Sequence, residues 1–167
     1  VVDHVGHEHT RVFRSVAELG KNYENLTEII GSETQAQVAL IYDWEVRWAF
    51  EASEGVRSER ETYLTTCVEH YGAFARQGVA VDVVGASRDL SQSKLVVAPQ
   101  LWMLAPGVAE RIGRYVEAGG TFVATYYTGY CDRNNRCFTG GFPGDGLMGV
   151  LGIWNEETDC LPGGAKR

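Results

Sequence analysis

Strands alternating with helices, at spacings of one βα unit after another, predict a doubly wound α/β domain with a mainly parallel sheet and helices on both faces. Two observations carry this. Continuous apolar runs such as Gln37-Val38-Ala39-Leu40-Ile41-Tyr42-Asp43 read as strands buried on both sides. Between such runs lie stretches with helical apolar spacing, closed by glycine.

Taken in order, Thr10 to roughly Ile30 reads as a helix, with Val12, Phe13, Val16, Leu19, Tyr23 and Leu26 recurring at helical spacing. It reads as a helix that packs against a body lying upstream. Gly31-Ser32 breaks it, and the first strand follows. Ser58-Glu59-Arg60-Glu61 forms a capping box, in which the serine hydroxyl and Glu61 satisfy each other's orphan N–H groups. From there to Arg76 the positions Leu64, Cys67, Val68, Tyr71, Phe74 and Ala75 make one stripe, with Gly78 as its left-handed end. Val79–Val84 and Lys94–Pro99 are the next strands. Pro106 sits where a helix's first turn tolerates proline. That helix turns Val108, Ile112, Tyr115 and Val116 inward, stops at Gly119-Gly120, and leads into a fourth strand over Thr121–Tyr126. The arrangement is of flavodoxin type. Beyond Tyr127, glycines at 129, 140, 141, 144, 146 and 149 mark a long loop with one short helix near Leu147–Leu151, and the tail from Glu156 reads as an exit toward another domain.

Bulk composition narrows the function. The 167 residues suffice for one hydrophobic core, and 44% hydrophobic with 22% charged residues is ordinary for a globular chain. A net charge of −7 carries no basic stripe and excludes nucleic acid as partner, while no apolar run is long enough for a membrane span. The chain opens on Val1-Val2-Asp3-His4 with neither initiator Met nor a signal sequence, which reads as an excised fragment or a processed product. A cytoplasmic setting is expected. Cys67, Cys131, Cys137 and Cys160 lack the C-x-x-C spacing of a structural zinc site. Cys67 falls on a helix's apolar face, whereas Cys131 and Cys137 share one loop, close enough to pair under oxidation.

Catalytic constellations fail one after another. Class I glutamine amidotransferases have this architecture and carry a nucleophilic cysteine on a strand-to-helix turn, with a histidine later in the chain. Here Thr128-Gly129-Tyr130-Cys131-Asp132 follows the fourth strand, but no histidine follows His70. No glycine-rich loop follows the first strand, so no dinucleotide or phosphate cradle is expected there. His4, His7 and His9 with Glu8 have compact ligand-like spacing, yet read as the polar start of a helix. Asp43 and Glu45, taken as extended residues, read as ion-pairing partners for Arg47. What remains is aromatic: Trp44, Trp48, Phe50, Trp102, Tyr126 and Tyr127 gather at strand ends, where indoles and phenols anchor subunit interfaces or stack on sugars.

Several motifs, in order along the chain, carry a resemblance. They are His4-Val5-Gly6, Thr10-Arg11-Val12-Phe13-Arg14, Val38-Ala39-Leu40-Ile41-Tyr42-Asp43-Trp44-Glu45, Val96-Val97-Ala98-Pro99, Glu117-Ala118-Gly119-Gly120-Thr121-Phe122-Val123, and Arg136-Cys137-Phe138 with Gly140-Gly141-Phe142-Pro143-Gly144. With these the chain resembles the middle, amidotransferase-like domain of family forty-two glycoside hydrolases, the microbial β-galactosidases. Val46, where that family more often has Asn, and the glycine-rich Gly144-Asp145-Gly146 depart from its pattern. The resemblance implies that residues 1–34 trail from a preceding catalytic barrel and that 35–167 form a homotrimerising domain. It also implies that the carboxylates of the retaining mechanism lie in that barrel. No catalytic, cofactor or metal residue is therefore expected here. The expected interface or rim residues are Trp44, Glu45, Trp48, Trp102, Tyr126 and Tyr127.

Overall fold

Strand β1 (Val38–Ile41) lies inside the sheet, and all four of its residues are buried. In the computed structural model, which describes residues 4–53 and 62–158, β1 is flanked in parallel by β2 (Val81–Val84) and β3 (Leu95–Ala98). A third parallel pairing joins β3 to β5 (Thr121–Ala124), so the sheet order is β2-β1-β3-β5. Registers are Val38 opposite Val81 and Leu95, and Leu95 opposite Thr121. Between β3 and β5 along the chain lies β4 (Met103–Leu104), which pairs in parallel with β6 (Cys131–Asp132) as a separate two-stranded ladder.

Helices α2 (Trp44–Ala52) and α3 (Tyr63–Ala75) connect β1 to β2, and α4 (Val108–Glu117) connects β4 to β5. The crossings from β1 to β2 and from β3 to β5 run in opposite directions across the sheet. Right-handed crossovers in opposite directions place α2–α3 on one face and α4 on the other, as doubly wound folds require. The core fills the space between them with Leu40, Ile41, Phe50, Tyr63, Val96, Leu101, Ile112 and Leu147. Leu147 opens the short α5 (Leu147–Leu151), where the sequence placed its last helix.

Several expected boundaries shift for identifiable reasons. The first helix, α1, spans Arg11–Tyr23, capped by Thr10 accepting from the Phe13 N–H, and ends seven residues early in tight turns at Asn25 and Leu26 before a short 3₁₀ turn over Thr27–Ile29. Asparagines at 22 and 25 favour such turns over helix continuation. Helix α3 begins at Tyr63 behind Thr62, whose hydroxyl accepts from Thr65 N–H at 3.1 Å; the Ser58–Glu61 capping box lies outside the described residues, as does Cys160. Pro106 stands one residue before the cap of α4 rather than inside its first turn. Gly107, at φ 81°, turns the chain into the helix there.

By contact the chain divides into two compact units, one up to Thr34 and one from Gln35 onward. Within the first, α1 buries none of its residues, and Phe13, Val16 and Leu19 stay open on its apolar stripe.

Candidate functional site

The largest departure from the sequence reading lies at the carboxyl end of β1. Asp43, Trp44 and Glu45 do not continue the strand. Asp43 is the N-cap of α2: its Oδ1 accepts from the N–H groups of Glu45 (2.9 Å) and Val46 (3.4 Å). Its Oδ2 accepts from Ala86 N–H at 3.1 Å, and its own N–H donates to the Tyr63 hydroxyl at 3.0 Å. The expected ion pairs of Asp43 and Glu45 with Arg47 are therefore replaced. Arg47 pairs with Glu51 one turn along (2.8 Å) and donates to the Tyr42 hydroxyl (3.1 Å).

Folding this segment as a helix sorts its aromatic residues by face. Val46 and Phe50 turn inward, and Trp44 and Trp48, four residues apart, turn outward together. Their relative exposures are 55% and 61%, unusual for indoles, and their ring centroids lie 6.1 Å apart. Arg47 lies over the Trp44 ring at 5.3 Å, and Tyr42 meets Trp44 edge-on, so the indole is held rather than free to rotate. Exposed Glu45 borders the pair.

Behind α2 lies a buried aromatic layer. Phe50 meets Trp102 edge-on at 5.6 Å and Tyr127 at 5.9 Å; Trp102 stacks on Tyr130, which in turn stacks on Phe142 at 3.9 Å. Of the six residues expected at an interface or rim, Trp44, Glu45, Trp48 and Tyr126 are thus exposed and Tyr127 is half-buried. Trp102, only 4% exposed, is a core residue. Its indole N–H is consumed by Asn135 Oδ1 at 3.0 Å, so it supports the surface from beneath instead of forming it.

The strand-end turn after β5 contains one left-handed non-glycine residue, but it leads into β6 and not into a helix, and it presents no nucleophile. The residue in the left-handed conformation is Tyr127, at φ 61°, and its ring packs against Phe50, Trp102 and Tyr130. Cys131, the candidate thiol, lies four residues on, fully buried in β6, where it donates to Asn135 Oδ1 at 3.0 Å. Burial, reinforced by Cys137 and Asp132, pushes that thiol up to about 12, the opposite of an activated nucleophile. His70 is turned to its own helix, Nδ1 lying 2.8 Å from the Thr66 carbonyl. A cleft of ≈ 550 Å³ at the ends of β1 and β2 is lined by Asp43, Glu45, Gly85 and Ser87 among others, but its Asp43 carboxylate is committed to three backbone N–H groups. Among the described residues no group of three His, Cys, Asp or Glu side chains is placed to hold a metal ion. His7 and His9 approach each other, and His9 N–H donates to His7 Nδ1 at 3.3 Å.

The helix α2, its aspartate cap and the Asn135 anchor were all missed by sequence reading. A usable signal existed: Asp43 followed by Val46 and Phe50 on one side and Trp44 and Trp48 on the other is a cap preceding helical spacing.

Comparison with known proteins agrees with this scaffold. The sequence model of the family described as beta-galactosidase trimerisation domain matches residues 36–167. Beta-galactosidase Pbg of Clostridium perfringens is 49% identical over 161 residues, covering 96% of this chain and 23% of its own length. Beta-galactosidase BglY of Alicyclobacillus acidocaldarius is 48% identical over 166 residues, covering 99% and 24%. Among solved structures, the β-galactosidase of Bacillus circulans sp. alkalophilus superposes with a TM-score of 0.78 at 45% identity, over 98% of this chain and 24% of that one. That of Rahnella sp. R3 gives 0.73 at 51% identity, over 93% and 23%. The chain thus spans about a quarter of the length of these relatives. On sequence and fold together, it belongs to the β-galactosidase trimerisation domain family of family forty-two glycoside hydrolases.

Proposed function

We propose that this chain performs no catalysis itself and serves as the oligomerisation module of a β-galactosidase whose glycosidic chemistry resides in a preceding barrel. Three copies associate in this reading, with the exposed face of α2 contributing to the contact. One observation carries it: Trp44 and Trp48 stand side by side on the solvent face of a well-anchored helix. Large, rigid aromatic side chains beside an arginine are the composition of interface hot spots. In the same reading the segment up to Thr34 is the tail of the barrel, supported by an α1 whose apolar stripe is left unburied. A cytoplasmic setting belongs to the same reading.

The test is light scattering across a concentration series. The full chain is expected to approach three times its monomer mass, and Trp44→Ala/Trp48→Ala to stay monomeric with unchanged far-UV circular dichroism. A double variant that associates as the parent does removes α2 from the interface.

A second reading rests on the same pair of indoles. Two outward rings one helical turn apart could stack on a sugar ring at a neighbouring subunit's active-site rim. Titrating galactose or lactose while following tryptophan emission decides it: a saturable change lost in Trp48→Ala supports the reading, and a flat response rejects it.

A further inference from the structure

Cys131 and Cys137 are direct cross-strand partners. They form an antiparallel bridge, bracketed by two backbone hydrogen bonds: Phe138 N–H to the Tyr130 carbonyl, and Asp132 N–H to the Arg136 carbonyl, each at 2.9 Å. A pair so bracketed exchanges no backbone hydrogen bond of its own. Its Cα atoms lie roughly 4.5 Å apart, and both side chains leave the ladder on the same side. That separation falls inside the range that a disulfide spans, about 4.4–6.8 Å. Both thiols are free in this structure.

The two differ in access. Cys137 is exposed, while Cys131 is fully buried and donates to Asn135 Oδ1. The hairpin between them is held tight by Asp132, whose Oδ1 accepts from Asn134 N–H (2.8 Å) and Arg136 N–H (3.0 Å). Asn135 also reaches away from the hairpin, donating through Nδ2 to the Ala49 carbonyl (3.2 Å) and Ser53 Oγ (3.3 Å) at the end of α2. The buried thiol is thus one hydrogen bond from the anchor that ties this hairpin to the aromatic helix.

We propose that Cys131 and Cys137 form a reversible dithiol–disulfide pair, with Cys137 the entry thiol and Cys131 the resolving one. The oxidant is a small disulfide such as oxidised glutathione. The Cys137 thiolate attacks one of its sulfurs, forming a mixed disulfide and expelling one glutathione thiolate, which takes up the proton that Cys137 gave up. Cys131 then loses its proton, and its sulfur attacks Cys137 Sγ. The protein disulfide forms, and the second glutathione leaves as its thiol. In sum two protein thiols are oxidised, one glutathione disulfide is reduced to two thiols, and no further reactant is needed. Closure withdraws the S–H donor from Asn135 Oδ1, which keeps its bond from Trp102. The two redox forms therefore differ by one donor on Asn135, the residue that ties the hairpin to α2.

The test is mass spectrometry of the full chain carrying Cys160→Ser, incubated with oxidised glutathione and quenched by acid alkylation. The expected product lacks the mass of two hydrogen atoms and reverts with dithiothreitol. Trypsin cuts after Arg133 and Arg136, so the peptides bearing Cys131 and Cys137 stay joined only through the bond. Cys131→Ser is expected to stop at one bound glutathione on Cys137, and Cys137→Ser to take up neither modification at Cys131. Accumulation of the mixed disulfide in the parent, without closure, overturns the proposal, as does a crosslink joining either cysteine to Cys67.

Discussion

Asp43 commits each of its carboxylate oxygens to backbone N–H groups, two at the start of α2 and one at Ala86 beyond β2. Its removal therefore loses more than a cap. Replacing a capping aspartate with alanine costs about 1 kcal/mol, and the Ala86 N–H left without its partner adds roughly 1–2 kcal/mol. Asp43→Ala should lower the urea midpoint by the equivalent of about 2–3 kcal/mol, and Asp43→Asn, which keeps an acceptor oxygen, should recover part of that. Tyr63 is the companion of this site: its hydroxyl accepts from Asp43 N–H, and burial first of all holds its phenol far above the usual range. A second residue-scale prediction concerns Cys131, which faces Cys137 and Asp132 as its titratable neighbours. With the thiol pushed up to about 12, its thiolate is the minor form at pH 7–9 and rises about tenfold per pH unit. The closing step from the mixed disulfide should accelerate accordingly with pH, and slow as pH falls; stopped-time alkylation of Cys131→Ser-controlled samples measures it. A closing rate that levels off at about pH 8.5 would mean that the sulfur reacts as an ordinary exposed thiol and is not buried when it attacks. Asp43 was not legible, because it ends an apolar run so continuous that the strand reading absorbed it. Spacing did bring Cys131 and Cys137 into one loop as candidates to pair, but that they stand directly opposite depends on a hairpin register that spacing alone does not set.

Helix α2 divides its work by face, and that division can be measured. Phe50 is buried against Trp102 and Tyr127, whereas Trp48 is open to solvent. Phe50→Ala should cost about 3–5 kcal/mol of stability, while Trp48→Ala should stay within about 0.5 kcal/mol in the isolated chain. Equal losses in chemical denaturation would show the outer face to be structural as well. A different close approach governs the end of α4. A Cβ on Gly120 would meet the Tyr115 ring at 2.2 Å, and Tyr115 donates to the Thr121 carbonyl just where β5 begins. The elements that sequence periodicity could define are those with their own local signal: β1, β2, β3 and β5 as apolar runs, α3 and α4 as stripes closed by glycine. Strands β4 and β6, two residues each, have no such signal because they exist only by pairing across the intervening α4–β5 unit. Helix α2 was lost for the reverse reason: its first residues follow the apolar run of β1 without a break, so the change of period at Asp43 was absorbed into the strand.

At the scale of the whole molecule, the question is what an apolar contact must overcome. Each chain carries a net charge of −7, and the proposed association of three copies would triple that charge in one particle. Repulsion of this kind is long-ranged at low ionic strength, where the Debye length is about 30 Å at 0.01 M, and falls off within about 8 Å at 0.15 M. Burial of the Trp44 and Trp48 rings is insensitive to such screening and is slightly strengthened by excluded salts. The two terms therefore shift together. If the indole face of α2 supplies the attraction, raising salt from 0.01 to 0.15 M should tighten trimerisation, and sedimentation equilibrium should show the trimer at lower protein concentration. An interface built on ion pairs gives the opposite sign. Arg47 and Glu51, paired within one helix here, could exchange partners between subunits, and salt would then loosen the assembly. Glu51→Gln separates the cases, because it removes a charge of the exchanging pair without touching either ring or the arginine over Trp44. Salt-tightened association that survives Glu51→Gln and vanishes in Trp44→Ala/Trp48→Ala assigns the contact to the aromatic face, whereas loss in Glu51→Gln alone assigns it to charge.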